Sequence, residues 1–317
     1  MGFEALLGNH RLKENISRSL ASGHIAHFYL ICGSAGSGRH TLARLLAAAI
    51  MCRNENRPCG VCPACRKVLS GSHPDFITVD DPEKKTVPVD LIRQARADMY
   101  VQPNEADYKI YLFPRAQDMG IPGQNALLKV LEEPPKYGVF ILLTDNPERL
   151  LPTVRSRCVQ LQLQAPDASA AKNYLAKKFP DASPEDISAA LAMGGGFLGQ
   201  AMEVLQGKDA FAPQTQSFAK AYADGDSLGL TRVLAPLEKS KRDSLIPLLE
   251  QWYALLENAL ACRSGGHALS QYAREIAARR SARDLMQAIG ALNKGIEYAQ
   301  GNVSPSAICG WLSWELR

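Results

Sequence analysis

No run of about 18 apolar residues occurs in this chain, so no segment reads as a membrane-spanning helix and no membrane partner is expected. The first residues, MGFEALLGNHR, lack the basic and then apolar order of a secretory signal. Leu6 also stands where a myristoylation signal wants Ser or Thr, and a cytoplasmic location is the expectation. Internal repeats, low-complexity tracts and long linkers are missing, which argues against a repeat architecture. Neither sign of charge dominates: 36 Lys and Arg against 32 Asp and Glu leave +4, a balance that permits contact with nucleic acid without arguing for it. What remains is an ordinary globular composition, 46% hydrophobic and 21% charged, long enough at 317 residues for two or three domains.

A further lack is chemical. Gly33–Thr41 reads Gly-Ser-Ala-Gly-Ser-Gly-Arg-His-Thr, the spacing of a phosphate-binding loop G-x-x-x-x-G-K-[ST] without its lysine and without its hydroxyl. The flanks suit such a loop. Ala26–Cys32 is a short apolar run of strand character, and Leu42, Leu45, Leu46 and Ile50 recur at helical spacing. Gly33, Gly36 and Gly38 are in place to turn strand into helix, but Arg39 replaces the lysine that reaches terminal phosphates and His40 replaces the Mg²⁺ ligand. An arginine is a planar fork and not a compact ammonium, so the exchange is not conservative. Thr41, one residue on, is turned by roughly 100° to another helix face. The backbone cradle survives, so binding of a nucleotide or anion without turnover stays open while hydrolysis is not expected.

An ATPase of this architecture also needs an acid at the end of a second buried strand, to hold Mg²⁺ and polarise the attacking water. Here the strand Lys109–Phe113 runs into Pro114-Arg115, and Asp107 and Asp118 lie off register. Two separate sites are damaged in the same direction.

Along the chain, residues 9–22 read as an amphipathic helix capped by Asn9. Apolar runs at Phe76–Val79, Lys109–Phe113, Val139–Thr144 and Val159–Leu163 alternate with helical stretches near Val89–Met99, Asp118–Glu132 and Glu148–Arg155, the middle one firmly ended by Pro134-Pro135. Alternation of this kind predicts a mostly parallel sheet with helices on both faces. Beyond about Pro166 the strand signals cease. The expected division is an α/β domain over 1–165, a small helical unit over 166–207, and a larger helical unit over 208–317 whose Leu245, Leu248, Leu249, Trp252, Leu255 and Leu256 form a broad apolar stripe.

Of eight cysteines, four crowd together as Cys52-x₆-Cys59-x₂-Cys62-x₂-Cys65 inside the α/β domain. Pro58, Gly60 and Pro63 let the chain fold the sulfurs around one centre over about 52–67. A structural Cys₄ zinc is the natural occupant, because four thiolates suit tetrahedral Zn²⁺ and leave no open position for catalysis. An iron–sulfur cluster and free thiols are the alternatives. Arg57, Arg66 and Lys67 beside it read as a solvated face.

The run Asn125-Ala126-Leu127-Leu128-Lys129-Val130-Leu131-Glu132-Glu133-Pro134-Pro135 resembles a signature of bacterial DNA polymerase III clamp-loader subunits, of the AAA+ type. Ser156-Arg157-Cys158 resembles that family's arginine-finger motif, and the likeness extends to the cysteine insertion, to His73-Pro74-Asp75 and to the stretch near Asn302–Pro305. The family holds ATP-hydrolysing gamma/tau subunits and a non-hydrolysing delta-prime subunit, and the lost lysine and acids make the chain similar to the latter. Where hydrolysing members carry a nucleotide-sensing arginine, Gly196–Ala201 offers Gly199.

The resemblance implies an AAA+-type domain with a zinc insertion, a lid domain over 166–207 and a collar domain over 208–317. It further implies a hetero-oligomeric ring with gamma/tau and delta subunits, acting on the sliding clamp and primer–template DNA within the polymerase holoenzyme. Arg157 would then serve a neighbour's ATP in trans, with Ser156 and Cys158 orienting its loop. Alternatives are an active gamma/tau-like ATPase with a divergent phosphate loop, and a zinc-stabilised DNA-binding module.

Overall fold

A computed structural model describes residues 2–206, 211–240, 242–266, 269–301 and 303–316, with the backbone alone at 243. It divides into two compact units, one up to Gln164 and one from Ala165 onward. Among the described residues no helix is long and apolar enough to cross a membrane.

The first unit is a five-stranded sheet of order β2-β3-β4-β1-β5, parallel throughout, built from β1 (Phe28–Cys32), β2 (Phe76–Thr78), β3 (Lys109–Phe113), β4 (Gly138–Thr144) and β5 (Val159–Gln162). Every residue of β1, β3 and β4 is buried, which is why these strands read as continuous apolar runs and not as alternating ones. The two-residue period still sorts their side chains. Ile31, Ile110, Ile141 and Leu143 point to the face carrying α1 (His10–Ala21), α2 (Arg39–Met51) and α3 (Pro63–Ser70). Leu30, Cys32, Tyr111, Phe113 and Phe140 point to the face carrying α4 (Val89–Asp98), α5 (Ile121–Glu132) and α6 (Pro152–Arg155). There the Phe140 ring stacks on Phe28 at 4.9 Å and on Tyr111 at 5.4 Å. This sheet bears out the expected fold.

Local signals fare unevenly. Asn9 does stand at the N-cap of α1, but its backbone is left-handed, φ 54, and its side chain caps nothing. Instead it donates to the Gln164 carbonyl at 3.1 Å and accepts from the Gln164 N–H at 2.9 Å, tying the helix start to the end of the domain. The stretch expected as one helix over 118–132 begins as a 3-10 turn, Ala116–Asp118, and restarts at Ile121 after Gly120, with Pro122 in its first turn. The stretch 148–155 splits likewise into a 3-10 turn, Pro147–Arg149, and α6, because Pro152 cannot donate the bond that would continue the earlier turn.

The second unit contains nine α-helices among the described residues: α7 (Ala168–Lys178), α8 (Pro184–Met193), α9 (Leu198–Leu205), α10 (Pro213–Asp224), α11 (Ser227–Leu234), α12 (Arg242–Arg263), α13 (Gln271–Arg279), α14 (Ala282–Gln300) and α15 (Pro305–Glu315). One apolar core runs through it, from Leu175 and Leu191 to Trp252, Leu292 and Leu312. Trp252 stacks on Phe218 at 4.1 Å, and its indole N–H donates to Thr215. The expected boundary at 207/208 and Asn302 lie outside the described residues.

Candidate phosphate loop, cysteine centre and arginine finger

All three sites belong to the first unit. Parallel strands bring their carboxyl ends to one edge, where an α/β sheet offers its ligand sites. The loop after β1 starts at Gly33, whose N–H donates to the Thr144 carbonyl at the end of β4. Gly36 and Gly38 take φ 72 and 92, values open to glycine and strained for other residues, and α2 begins at Arg39.

Side chains of this same chain pack closely against two of the loop's glycines. Ser37 is buried, and a Cβ added at Gly33 would meet its hydroxyl oxygen at 2.5 Å. Leu6, itself buried, lies so close that a Cβ at Gly38 would meet its methyl at 2.9 Å. The Leu6 carbonyl is in turn held by Lys13 Nζ at 3.0 Å. Burial pulls the Arg39 guanidinium below its usual pKa, partly offset by Asp145 and Cys32, and its Nη1 is buried without a hydrogen-bond partner. His40 is exposed, its pKa lowered by partial desolvation and then by the Arg39 and Arg44 guanidiniums, with Asp80 opposing. Thr41 is exposed on the helix surface.

At the end of β3 an ATPase would present an acid, and here Arg115 is committed elsewhere. Its Nη2 donates to Asp80 at 2.6 Å and to the Asp81 carbonyl at 2.9 Å, and its Nη1 donates to the Lys84 carbonyl at 3.1 Å. The two off-register acids are occupied as well. Asp107 pairs with Arg53 at 2.8 Å, and Asp118 lies 3.5 Å from Arg149. Asp80 carries no sequence signal that foretells this pairing, since it follows β2 and meets Arg115 only across the loop.

The four clustered cysteines converge: their sulfurs all lie within 4.8 Å of one another. Cys59–Cys65 and Cys62–Cys52 are each 3.9 Å apart, against about 3.8 Å for the edge of a tetrahedron with Zn–S bonds of ~2.3 Å. Three local devices aim them. Cys52 ends α2, Cys62 caps α3 with Pro63 behind it, and Gly60 takes φ 77. The backbone N–H of Cys62 donates to the Cys59 sulfur, and such bonds lower the Cys59 thiol to about 6. The donor set fits a structural tetrahedral metal. Of the neighbouring cations, Lys67 is paired with Glu105 at 2.7 Å.

His73 and Asp75 act as a brace beside this centre. The fully buried Asp75 carboxylate accepts from the backbone N–H groups of Asn104, Glu105 and Ala106 and from the Asn104 amide. His73 Nδ1 accepts from the Asp75 N–H at 3.1 Å.

Arg157 is half-exposed in the turn between α6 and β5. Its Nη1 donates to the Thr153 carbonyl at 3.1 Å and its Nη2 to Glu132 Oε1 at 3.2 Å. Arg155 differs: its side chain is 24% exposed, pairs with Glu148 at 2.9 Å and lies near enough to Cys32 to act on that thiol's charge. Arg155 thus faces the chain's own loop and Arg157 faces outward. The Ser156 hydroxyl donates to the Thr153 carbonyl, and burial pushes the Cys158 thiol up to about 12, a poor nucleophile. In the second unit Gly199 occupies the first turn of α9, with no side chain to offer.

Residues 8–167 match the family described as DNA polymerase III, delta subunit. The chain is 34% identical over 233 residues to DNA polymerase III subunit delta' of Pseudomonas aeruginosa, covering 72% of this chain and 69% of that protein. It is 30% identical over 272 residues to the subunit delta' of Yersinia pestis, covering 83% and 75%. To DNA polymerase III subunit tau of Escherichia coli it is 33% identical over 175 residues, 55% of this chain and 27% of that protein.

Proposed function

The chain belongs to the DNA polymerase III delta-subunit family, and from that membership we propose that it is a non-hydrolysing, delta-prime-like subunit of the clamp loader, which places the sliding clamp on primed DNA. The observation that carries the non-hydrolysing part is the Arg115–Asp80 pair at the end of β3, where the acid of an ATPase would stand. Arg39, standing where the lysine would be, points the same way: Gly33–Thr41 is scaffold and holds no ATP productively. Cys52, Cys59, Cys62 and Cys65 hold a structural zinc, which ties the insertion to α2. Residues 166–207 act as a lid domain and 208–317 as a collar for assembly.

The active contribution is Arg157, offered in trans to ATP on a neighbouring gamma/tau subunit. The likeness to a tau subunit supports a neighbour of related build. A permanently charged fork suits a γ-phosphate and needs no particular pH. Fingers of this kind are worth about 10³–10⁵ in rate in other phosphoryl-transfer enzymes.

Co-purification with gamma/tau and delta subunits, followed by ATPase assays, tests the proposal. The isolated chain should hydrolyse no ATP. In the assembled complex Arg157→Ala should remove DNA-stimulated turnover at the site facing this chain. Steady hydrolysis by the isolated chain, abolished by Arg39→Ala, would instead identify an ATPase of gamma/tau type.

A further inference from the structure

We infer that Glu132 is the positioning residue for Arg157, an inference that rests on the trans-finger role proposed above. A long side chain at a subunit edge loses most of its electrostatic value if it samples many rotamers, because each productive encounter must then freeze it. Arg157 is 39% exposed and would be free to do so, yet it is fixed at two points. Glu132 Oε1 takes one N–H of Nη2 and the Thr153 carbonyl takes one N–H of Nη1.

These two contacts come from different elements, the last residue of α5 and the short helix α6, so together they set both the direction and the plane of the guanidinium. Among the described residues two of its five N–H donors are used, which leaves three for phosphate oxygens. The carboxyl end of α5 adds favourable dipole potential for a cation at the same place. Pro134 and Pro135 follow Glu133 directly, so α5 stops where its final carboxylate meets the finger. Arg155, paired with Glu148 on another side, has no such mount at the outer face.

The test is a reconstituted complex whose other arginine fingers are removed, so that only the site facing Arg157 turns over. Glu132→Ala should lower kcat about two- to fivefold, the size of one exposed ion pair, and leave KM for ATP unchanged. Glu132→Gln, which keeps an acceptor oxygen in the same place, should restore most of the loss. In an Arg157→Ala background, Glu132→Ala should have no further effect. An unchanged or raised kcat in Glu132→Ala, or an effect that persists without Arg157, would overturn the assignment while leaving the finger intact. If Arg157→Ala is itself silent, the finger role fails and the positioning role falls with it.

Discussion

Arg115 and Asp80 meet at 2.6 Å with side chains 27% and 16% exposed, joining the end of β3 to the segment after β2. The pair is partly shielded from water, and the same guanidinium also holds the carbonyls of Asp81 and Lys84. Arg115→Ala should therefore cost about 1–3 kcal/mol, because it leaves a sheltered carboxylate and carbonyls short of donors. Urea denaturation of the full chain measures it. Arg115→Ala with Asp80→Asn should cost less than the sum of the two single changes.

Acid should loosen the brace beside the cysteine centre. Burial alone would raise the Asp75 pKa, but the N–H groups of Asn104, Glu105 and Ala106 outweigh it and hold the value below the ordinary one. A carboxylate depressed on folding contributes stability that is fully present above the unfolded value, ~3.9, and is lost as pH falls through the folded value. Asp75→Asn should remove that dependence and lower stability at neutral pH. Stability curves of both proteins between neutral pH and the acid limb, followed by circular dichroism, would reveal a wild-type advantage that shrinks with acid.

The strands were legible because both faces of the sheet are covered: Phe28–Cys32, Lys109–Phe113 and Val139–Thr144 show as apolar runs without needing their neighbours. The cysteine centre was legible from spacing, since its ligands lie within one short insertion. Contacts made across the fold were not. Asn9 looks like a helix cap and bonds to Gln164, 155 positions away. Asp80, Leu6 and Asp145 carry no local pattern, yet they surround the phosphate loop once β1, β3 and β4 are aligned. Glu132 lay inside a recognisable motif, but its contact with Arg157 depends on where α5 ends relative to α6.

Metal removal should act locally. Cys52 and Cys65 are buried against α2, and Cys65 Sγ also donates weakly to the Ala48 carbonyl, so the insertion hangs on a helix that the sheet holds independently. Elemental analysis should find one zinc per chain. Chelation, or Cys59→Ser with Cys62→Ser, should expose amides over residues 52–70 to hydrogen exchange while those of β1 and β4 stay protected. Loss of protection throughout the sheet would mean that the metal holds the whole domain.

Restoring the loop's lost letters should not restore chemistry. Arg39→Lys with His40→Thr would return the ammonium and the hydroxyl, but Arg115 would still hold Asp80 where the acid of an ATPase would stand. ATP turnover by this double variant should remain at background, as measured by phosphate release. Stability offers the complementary readout. Arg39 keeps a desolvated guanidinium with Nη1 unpartnered, and its charge neighbour Asp145 is exposed and can be solvated alone. Arg39→Met keeps the length of the stem and removes the orphaned donor, so it should leave stability unchanged or raise it by about 1 kcal/mol. A loss of several kcal/mol would show instead that the guanidinium is bonded where the structure leaves it free, and that the loop depends on its charge.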